Sequence, residues 1–86
     1  MLTAAQCRAA RALIEWSRES LAEASHVALR TIVDFERGAR EPRDATLAAL
    51  RRALEAAGVI FIEGNGDGPG VKLKKGAKGD PAVSEG

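Results

Sequence analysis

The sequence predicts a mainly α fold in which four to five short helices form one small domain and a β-hairpin follows them. Capping residues and apolar residues spaced three and four apart predict the helices. Gly38 and Gly58 suit helix C-termini, and Pro42 prevents a helix from continuing between them. Beyond Gly58 the apolar pattern changes to one typical of strands. A chain of 86 residues accommodates a single domain of this kind.

The first two helices are predicted from their caps. Thr3 followed by Gln6 fits a capping box, so the first helix should start near Ala4 and end near Trp16. Ser17 can cap a second helix of about two turns.

Apolar spacing predicts the third and fourth helices. Ala28, Ile32 and Phe35 recur at helical spacing and predict a helix near residues 28–37. Asp44 is expected to cap the fourth helix. The apolar stripe of that helix is Leu47, Leu50, Leu54 and Ala57.

Two apolar segments after the fourth helix predict the hairpin. The run VIFI at 59–62 is β-branched and aromatic, and Val71 and Leu73 alternate with lysines. The intervening GNGDGPG lacks the full acidic set of a calcium loop and precedes no helix, so a plain turn is expected. The closing segment 76–86 has little to bury and is predicted to be a disordered tail.

Composition excludes several classes of function. The single cysteine, Cys7, rules out an internal disulfide and a multi-cysteine zinc site, and its helical position predicts a core residue. One histidine, no tyrosine and no clustered carboxylates leave no catalytic residues, no metal site and no cofactor to expect. No apolar run approaches the roughly 18 residues of a membrane span, and the N-terminus does not resemble a signal peptide. A cytoplasmic protein without membrane contact is therefore expected.

Charge is distributed unevenly along the chain. Thirteen Lys and Arg against twelve Asp and Glu give a net charge of +1, which does not by itself indicate a polyanionic partner. All nine arginines precede residue 53, whereas all four lysines follow residue 71. Arginine is the side chain suited to bidentate hydrogen bonding with phosphates and bases. Such contacts are therefore expected in the helical part of the chain, where the arginines lie.

Two helices joined by a tight turn within a small bundle form a helix-turn-helix unit. The segment WSRESLAEASHVALRTIVDFERGAREP resembles that unit in the XRE family, the Cro-C1-type regulators. The matching positions are Ser17, Leu21, Ala22, Val27, Thr31, Ile32, Glu36 and Gly38. The resemblance covers about residues 4–57, and it implies a lambda-repressor-like fold and a DNA-binding transcriptional regulator.

The sequence departs from the family pattern at three positions. His26 occupies the turn position where the family has glycine, and histidine tolerates the left-handed backbone expected there. A pH sensor or metal ligand at His26 stays an alternative to this structural role. Ala28 replaces the hydroxyl residue that would cap the third helix. Arg18 replaces a glutamine that touches phosphate in the family, and an arginine can keep that contact.

The resemblance also implies which residues contact DNA. The base-reading positions fall on Leu29, Arg30 and Asp34. Arg30 can bind guanine O6 and N7, and Leu29 can contact a thymine methyl. Asp34 can accept from cytosine N4 or pair with Arg30 or Arg37. The expected DNA-backbone contacts are Ser17, Arg18, Ala28, Thr31, Arg37, Arg40 and Arg43.

Dimerisation is expected because one short recognition helix buries too little surface for tight specific binding. A lone hairpin is marginal in water, and VIFI carries apolar side chains on both faces. The predicted homodimer interface is Ile60, Phe61, Ile62, Val71 and Leu73. The alternative, in which the hairpin packs only on the fourth helix of its own chain, stays open. The expected organisation is a DNA-binding domain at 1–58, a dimerisation hairpin at 59–75 and a tail at 76–86.

The function expected is a dimeric transcriptional repressor or autoregulator that binds a palindromic double-stranded DNA operator. The alternative is an antitoxin-like or antiactivator regulator that keeps the helix-turn-helix fold but binds a protein partner. The residues do not support an enzyme.

Overall fold

The computed structural model describes residues 1–64 and 68–75, which form four helices followed by a two-stranded antiparallel sheet. The elements are α1 Ala4–Ile14, α2 Arg18–Ser25, α3 Leu29–Glu36, α4 Asp44–Ala56, β1 Val59–Ile62 and β2 Gly70–Leu73. This arrangement confirms the mainly α fold with a C-terminal hairpin. None of the helices in this part of the chain is both long and apolar enough to cross a bilayer.

The capping box at the start of α1 is confirmed. The Thr3 side chain accepts from the Gln6 N–H at 3.0 Å, and the Gln6 side chain accepts from the Thr3 N–H at 3.0 Å. The helix ends at Ile14, two residues before the expected position, because Glu15 adopts left-handed backbone with φ 58°. The Glu15 N–H then bonds to the Ala12 carbonyl and closes the last turn.

The starts of α3 and α4 differ from the prediction by one residue. Ala28 is the N-cap of α3, which runs from Leu29 and has no side-chain cap, as its methyl group requires. The prediction that Asp44 caps α4 is wrong: Arg43 is the N-cap, and Asp44 is the first helical residue. In that position the carboxylate still interacts favourably with the positive end of the helix dipole.

The core lies between the four helices and extends under the hairpin. Its buried apolar residues are Leu2, Cys7, Ala10, Ile14, Leu21, Ile32, Phe35, Leu47, Leu50, Leu54 and Val59. The predicted leucine stripe of α4 supplies three of them, whereas Ala57 is only partly buried. Cys7 is fully buried, which confirms its assignment to the core.

The hairpin packs one face on the helices and presents the other to solvent. Val59 pairs with Leu73 and Phe61 pairs with Val71 on the inner face, where all four side chains adjoin the core. The Gln6 side chain also donates to the Gly70 carbonyl at 3.1 Å, which ties β2 to the start of α1. Residues 65–67, which belong to the predicted turn, and the predicted tail 76–86 lie outside the described residues.

Candidate nucleic-acid interface

The turn between α2 and α3 is built on left-handed backbone at His26. Its φ is 63° and ψ is 25°, as expected for the position that the XRE pattern gives to glycine. The His26 N–H donates to the Ala22 carbonyl at 2.9 Å and closes α2. The imidazole is exposed, and no group of three metal-binding side chains exists within 1–64 and 68–75.

Ser25 reinforces this turn and was not identified from the sequence. Its buried hydroxyl donates to the Leu21 carbonyl at 2.7 Å and accepts from the Val27 N–H at 3.2 Å. The bond from Val27 fixes the peptide unit that follows His26, and the bond to Leu21 ties the Ser25 hydroxyl to α2. A serine just before a helix break is a usable signal, because its hydroxyl commonly satisfies nearby backbone groups.

Helix α3 buries one face and exposes the predicted base-reading face. Ile32 and Phe35 are buried, while Leu29 is exposed. The Arg30 side chain is 84% exposed, so the guanidinium extends away from the protein. The bend at His26 leaves Arg30 directed outward, as the base-reading position that the resemblance implies would require.

Asp34 lies between two arginines on the same face of α3. Its carboxylate is 3.8 Å from the Arg30 Nε and 3.4 Å from the Arg37 Nε. The Asp34 side chain is only 19% exposed, whereas both arginines extend well into solvent. Of the two roles open to Asp34, the ion pair with Arg30 and Arg37 is therefore the one seen in the free protein.

The predicted DNA-backbone residues occupy several segments around α3. Ser17 is the N-cap of α2 and accepts from the Ser20 N–H at 3.0 Å. Thr31 is partly buried on α3. Arg40 and Arg43 are exposed in the segment between α3 and α4, and within the described residues neither makes an ion pair.

Glu36 matches the XRE pattern, but none of its contacts was predicted from the sequence. The structure places it in the core, with 1% exposure. Arg11 makes two bonds to its carboxylate, Nε to Oε2 and Nη2 to Oε1, both at 2.8 Å. The Arg18 Nε donates to Oε1 at 3.0 Å. The Cys7 thiol donates to Oε2 at 3.1 Å.

The electrostatics of this cluster keep Glu36 charged and Cys7 neutral. Burial by itself raises the pKa of Glu36, but hydrogen bonds from Arg11, Cys7 and Arg18 outweigh it and lower the pKa below the ordinary glutamate value. Burial and the hydrogen bond to Glu36 raise the pKa of the Cys7 thiol. The thiol is therefore a protonated donor, the opposite of the thiolate that a reactive cysteine needs.

The same cluster joins three helices. Arg11 on α1 also donates from Nη1 to the Trp16 carbonyl at 2.9 Å, just before α2. Arg8 on α1 donates to the backbone carbonyl of Glu36 at the end of α3. The start of α2 and the end of α3 are thus fixed against α1 by the buried carboxylate of Glu36 and three arginines, Arg8, Arg11 and Arg18.

The predicted dimer residues separate into two sets. Phe61, Val71 and Leu73 pack inward against the core of their own chain, and the Arg51 guanidinium lies over the Phe61 ring, 5.0 Å from its centroid. Only Ile60 and Ile62 face outward, with 38% and 42% exposure.

Comparison with known proteins agrees with this geometry. Residues 8–56 match the helix-turn-helix family model HTH_3, and the matched segment contains the turn at His26, α3, and Glu36 with the arginines that bind it. No curated protein matches the chain significantly. Because the match covers more than half of the residues, the chain belongs to the XRE, or Cro-C1-type, family of helix-turn-helix DNA-binding transcriptional regulators.

Proposed function

We propose that the protein is a dimeric, sequence-specific repressor or autoregulator that binds a palindromic operator through α3 and acts in the cytoplasm. The observation that carries this proposal is the outward projection of Arg30 from a helix whose other face is buried. A helix anchored in this way can enter the major groove as a rigid element. Family membership supplies the orientation relative to DNA.

Base recognition in this proposal depends mainly on Arg30. Its guanidinium can donate two hydrogen bonds to guanine O6 and N7, the commonest specific contact in the major groove. Leu29, beside it at the start of α3, is exposed enough to contact a thymine methyl. The Asp34 side chain is less exposed than that of Arg30 and does not extend as far from the helix. We therefore assign Asp34 the role of orienting Arg30 and Arg37, and not that of contacting a cytosine.

Backbone contacts would surround this helix. Arg40 and Arg43 provide positive charge after α3, while Arg37 shares its charge with Asp34. The exposed N-terminus of α2 at Ser17 and that of α3 at Ala28 can direct backbone N–H groups toward phosphates. These contacts would fix the register of the protein on the duplex, whereas Arg30 would select the sequence.

The outer face of the hairpin is the proposed contact between two subunits. Ile60 and Ile62 lie on the same side of β1, opposite the side that packs on the helices. Ile62 lies over Gly70, whose missing side chain leaves this face flat. A two-fold axis next to these isoleucines would bury both pairs and place the two α3 helices on successive half-sites.

The same two isoleucines favour one alternative, a protein-binding regulator in which a different chain covers the outer face of the hairpin. Exposed apolar side chains adjoining one another are also suited to a heterologous partner. In that case the XRE fold would serve protein binding, and sequence selection by Arg30 would be weak.

Selection from a randomised DNA pool tests the proposal. Wild-type protein should recover duplexes that contain an inverted repeat, with half-site centres about one helical turn, or roughly 34–36 Å, apart. Recovery of a single unrepeated half-site would contradict the dimer. Recovery of no preferred sequence, together with DNA affinity unchanged from that of random duplex, would favour the protein-binding alternative.

A further inference from the structure

The Arg18 side chain has two edges in different environments. Its Nε donates to the buried Glu36 carboxylate at 3.0 Å, yet the side chain is 45% exposed. Within residues 1–64 and 68–75, the Nη1 and Nη2 atoms have no hydrogen-bond acceptor. One edge of the guanidinium is therefore fixed to the protein, and the other edge is available for an acceptor outside it.

Glu36 can hold Arg18 in place because Glu36 is itself immobilised. Arg11 binds both carboxylate oxygens, and Cys7 donates to one of them from inside the core. Glu36 is also the last residue of α3. The direction of the Arg18 guanidinium is thus set relative to the recognition helix, although Arg18 belongs to α2.

The charge of the cluster is also suited to an anion. Arg8, Arg11 and Arg18 contribute three positive charges against the carboxylates of Glu36 and of Glu19 in the first turn of α2, so one positive charge is left near the start of α2. Arg18 is the first residue of α2, directly after the Ser17 cap, where the helix dipole adds a partial positive charge.

We propose that Glu36 is a positioning residue that holds Arg18 in advance as a ligand for one DNA phosphate, which fixes the backbone contact of α2 in register with base reading by α3. This inference rests on the proposed DNA binding. An arginine already held along one edge loses less side-chain freedom when a phosphate binds its other edge. Arg18 therefore differs from the glutamine of the family pattern in two ways: it carries a charge, and Glu36 holds it in place before DNA binds.

Salt-dependent binding tests the phosphate contact. Affinity is measured between about 50 and 200 mM salt on a duplex recovered by the wild-type protein from a randomised pool, because roughly 6–10 phosphate contacts change affinity by about 10³–10⁵ over that range. Arg18→Gln should reduce the steepness of log affinity against log salt by about 0.9 for each subunit. Arg52→Gln, at an exposed arginine of α4, is the control for lost charge and should leave the slope nearly unchanged. An Arg18→Gln slope equal to that of the wild type would overturn the contact.

Arg18→Lys tests the positioning role. Lysine keeps the charge but cannot donate to Glu36 and to a phosphate from two edges of one planar group. The slope should be preserved while affinity falls several-fold at every salt concentration. An Arg18→Lys variant that binds as tightly as the wild type would overturn positioning by Glu36.

A measurement on the free protein separates this inference from the proposed function. The Nε–H resonance of Arg18 should be resolved by NMR and exchange slowly with water in the wild type. It should exchange rapidly in Glu36→Gln at a temperature where circular dichroism shows that the variant is folded. Rapid exchange in the wild type would overturn the inference even if DNA binding is found. A wild-type protein that recovers no duplex would instead overturn the proposed function, and the inference with it.

Discussion

Arg11 and Glu36 form a two-point ion pair in which each carboxylate oxygen accepts one guanidinium N–H at 2.8 Å. The pair joins the last turn of α1 to the last residue of α3, and Glu36 is almost completely buried. The recognition helix is therefore held against the domain by an internal charge pair as well as by Ile32 and Phe35. The orientation of α3 within the domain therefore depends on interactions far from its exposed face.

Removal of the Glu36 charge should strongly destabilise the protein. Glu36→Gln leaves the partly buried Arg11 without a counter-ion, and breaking a buried pair in this way typically costs about 3–5 kcal/mol. Urea unfolding followed by circular dichroism measures the loss. Glu23→Gln, on the exposed surface of α2, is the matched control and should change stability by less than about 0.5 kcal/mol. Equal effects of the two substitutions would contradict the role assigned to Glu36.

Stability should also fall in acid because of Glu36. Its pKa in the folded protein is lowered, so its contribution is complete above the ordinary glutamate pKa and is lost as the pH falls through the folded value. The urea midpoint of the wild type should therefore decrease below about pH 4. Glu36→Gln should show a smaller decrease over the same range. If the urea midpoints of the two proteins fell in parallel with pH, carboxylates other than Glu36 would be responsible for the loss of stability in acid.

The left-handed turn should be stabilised by glycine. His26→Gly removes the cost of a side chain at φ 63°, about 1–2 kcal/mol, and loses part of that gain to the greater freedom of the unfolded chain. Thermal unfolding should show a higher Tm. Ala24→Gly, inside α2, is the control and should lower stability by about 1 kcal/mol. A lower Tm for His26→Gly would mean that the imidazole makes a stabilising contribution that offsets its backbone strain.

Asp34→Asn should separate affinity from discrimination. The substitution removes a negative charge from the face of α3 and releases Arg30 and Arg37 from their ion pairs. Binding to random-sequence duplex should strengthen because repulsion from phosphates falls. The ratio of specific to random binding should decrease because Arg30 is no longer oriented. An equal gain in affinity for the specific and the random-sequence duplex would contradict an orienting role. Asp34 would then affect binding only through its negative charge.

Local sequence patterns predicted most of the fold. The leucine stripe of α4, the capping box at Thr3 and the strand pattern after Gly58 each depend on neighbouring residues, and all three are present in the structure. Helix ends were less accurate. Glu15 adopts left-handed backbone without being a glycine, so no residue type marked the end of α1.

The Glu36 cluster could not be predicted in the same way. Its members lie on three helices, and Cys7, Arg11 and Arg18 are separated from Glu36 by 29, 25 and 18 positions. Helical periodicity places Glu36 next to buried Phe35 but does not say which charge will meet it. The outward direction of Arg30 was predictable, since burial of Ile32 and Phe35 leaves that side of α3 facing solvent.

Base reading by Arg30 is tested most directly by binding of Arg30→Ala to a duplex that the wild-type protein recovers from a randomised pool, with guanine N7 methylation interference measured on both proteins. Arg30→Ala should lose about 1–3 kcal/mol of binding free energy for each half-site, and interference should disappear at one guanine in each half-site. Arg52→Ala should retain the wild-type affinity and pattern. An Arg30→Ala protein that binds as tightly as the wild type, with interference at the same guanines, would contradict base recognition by this helix.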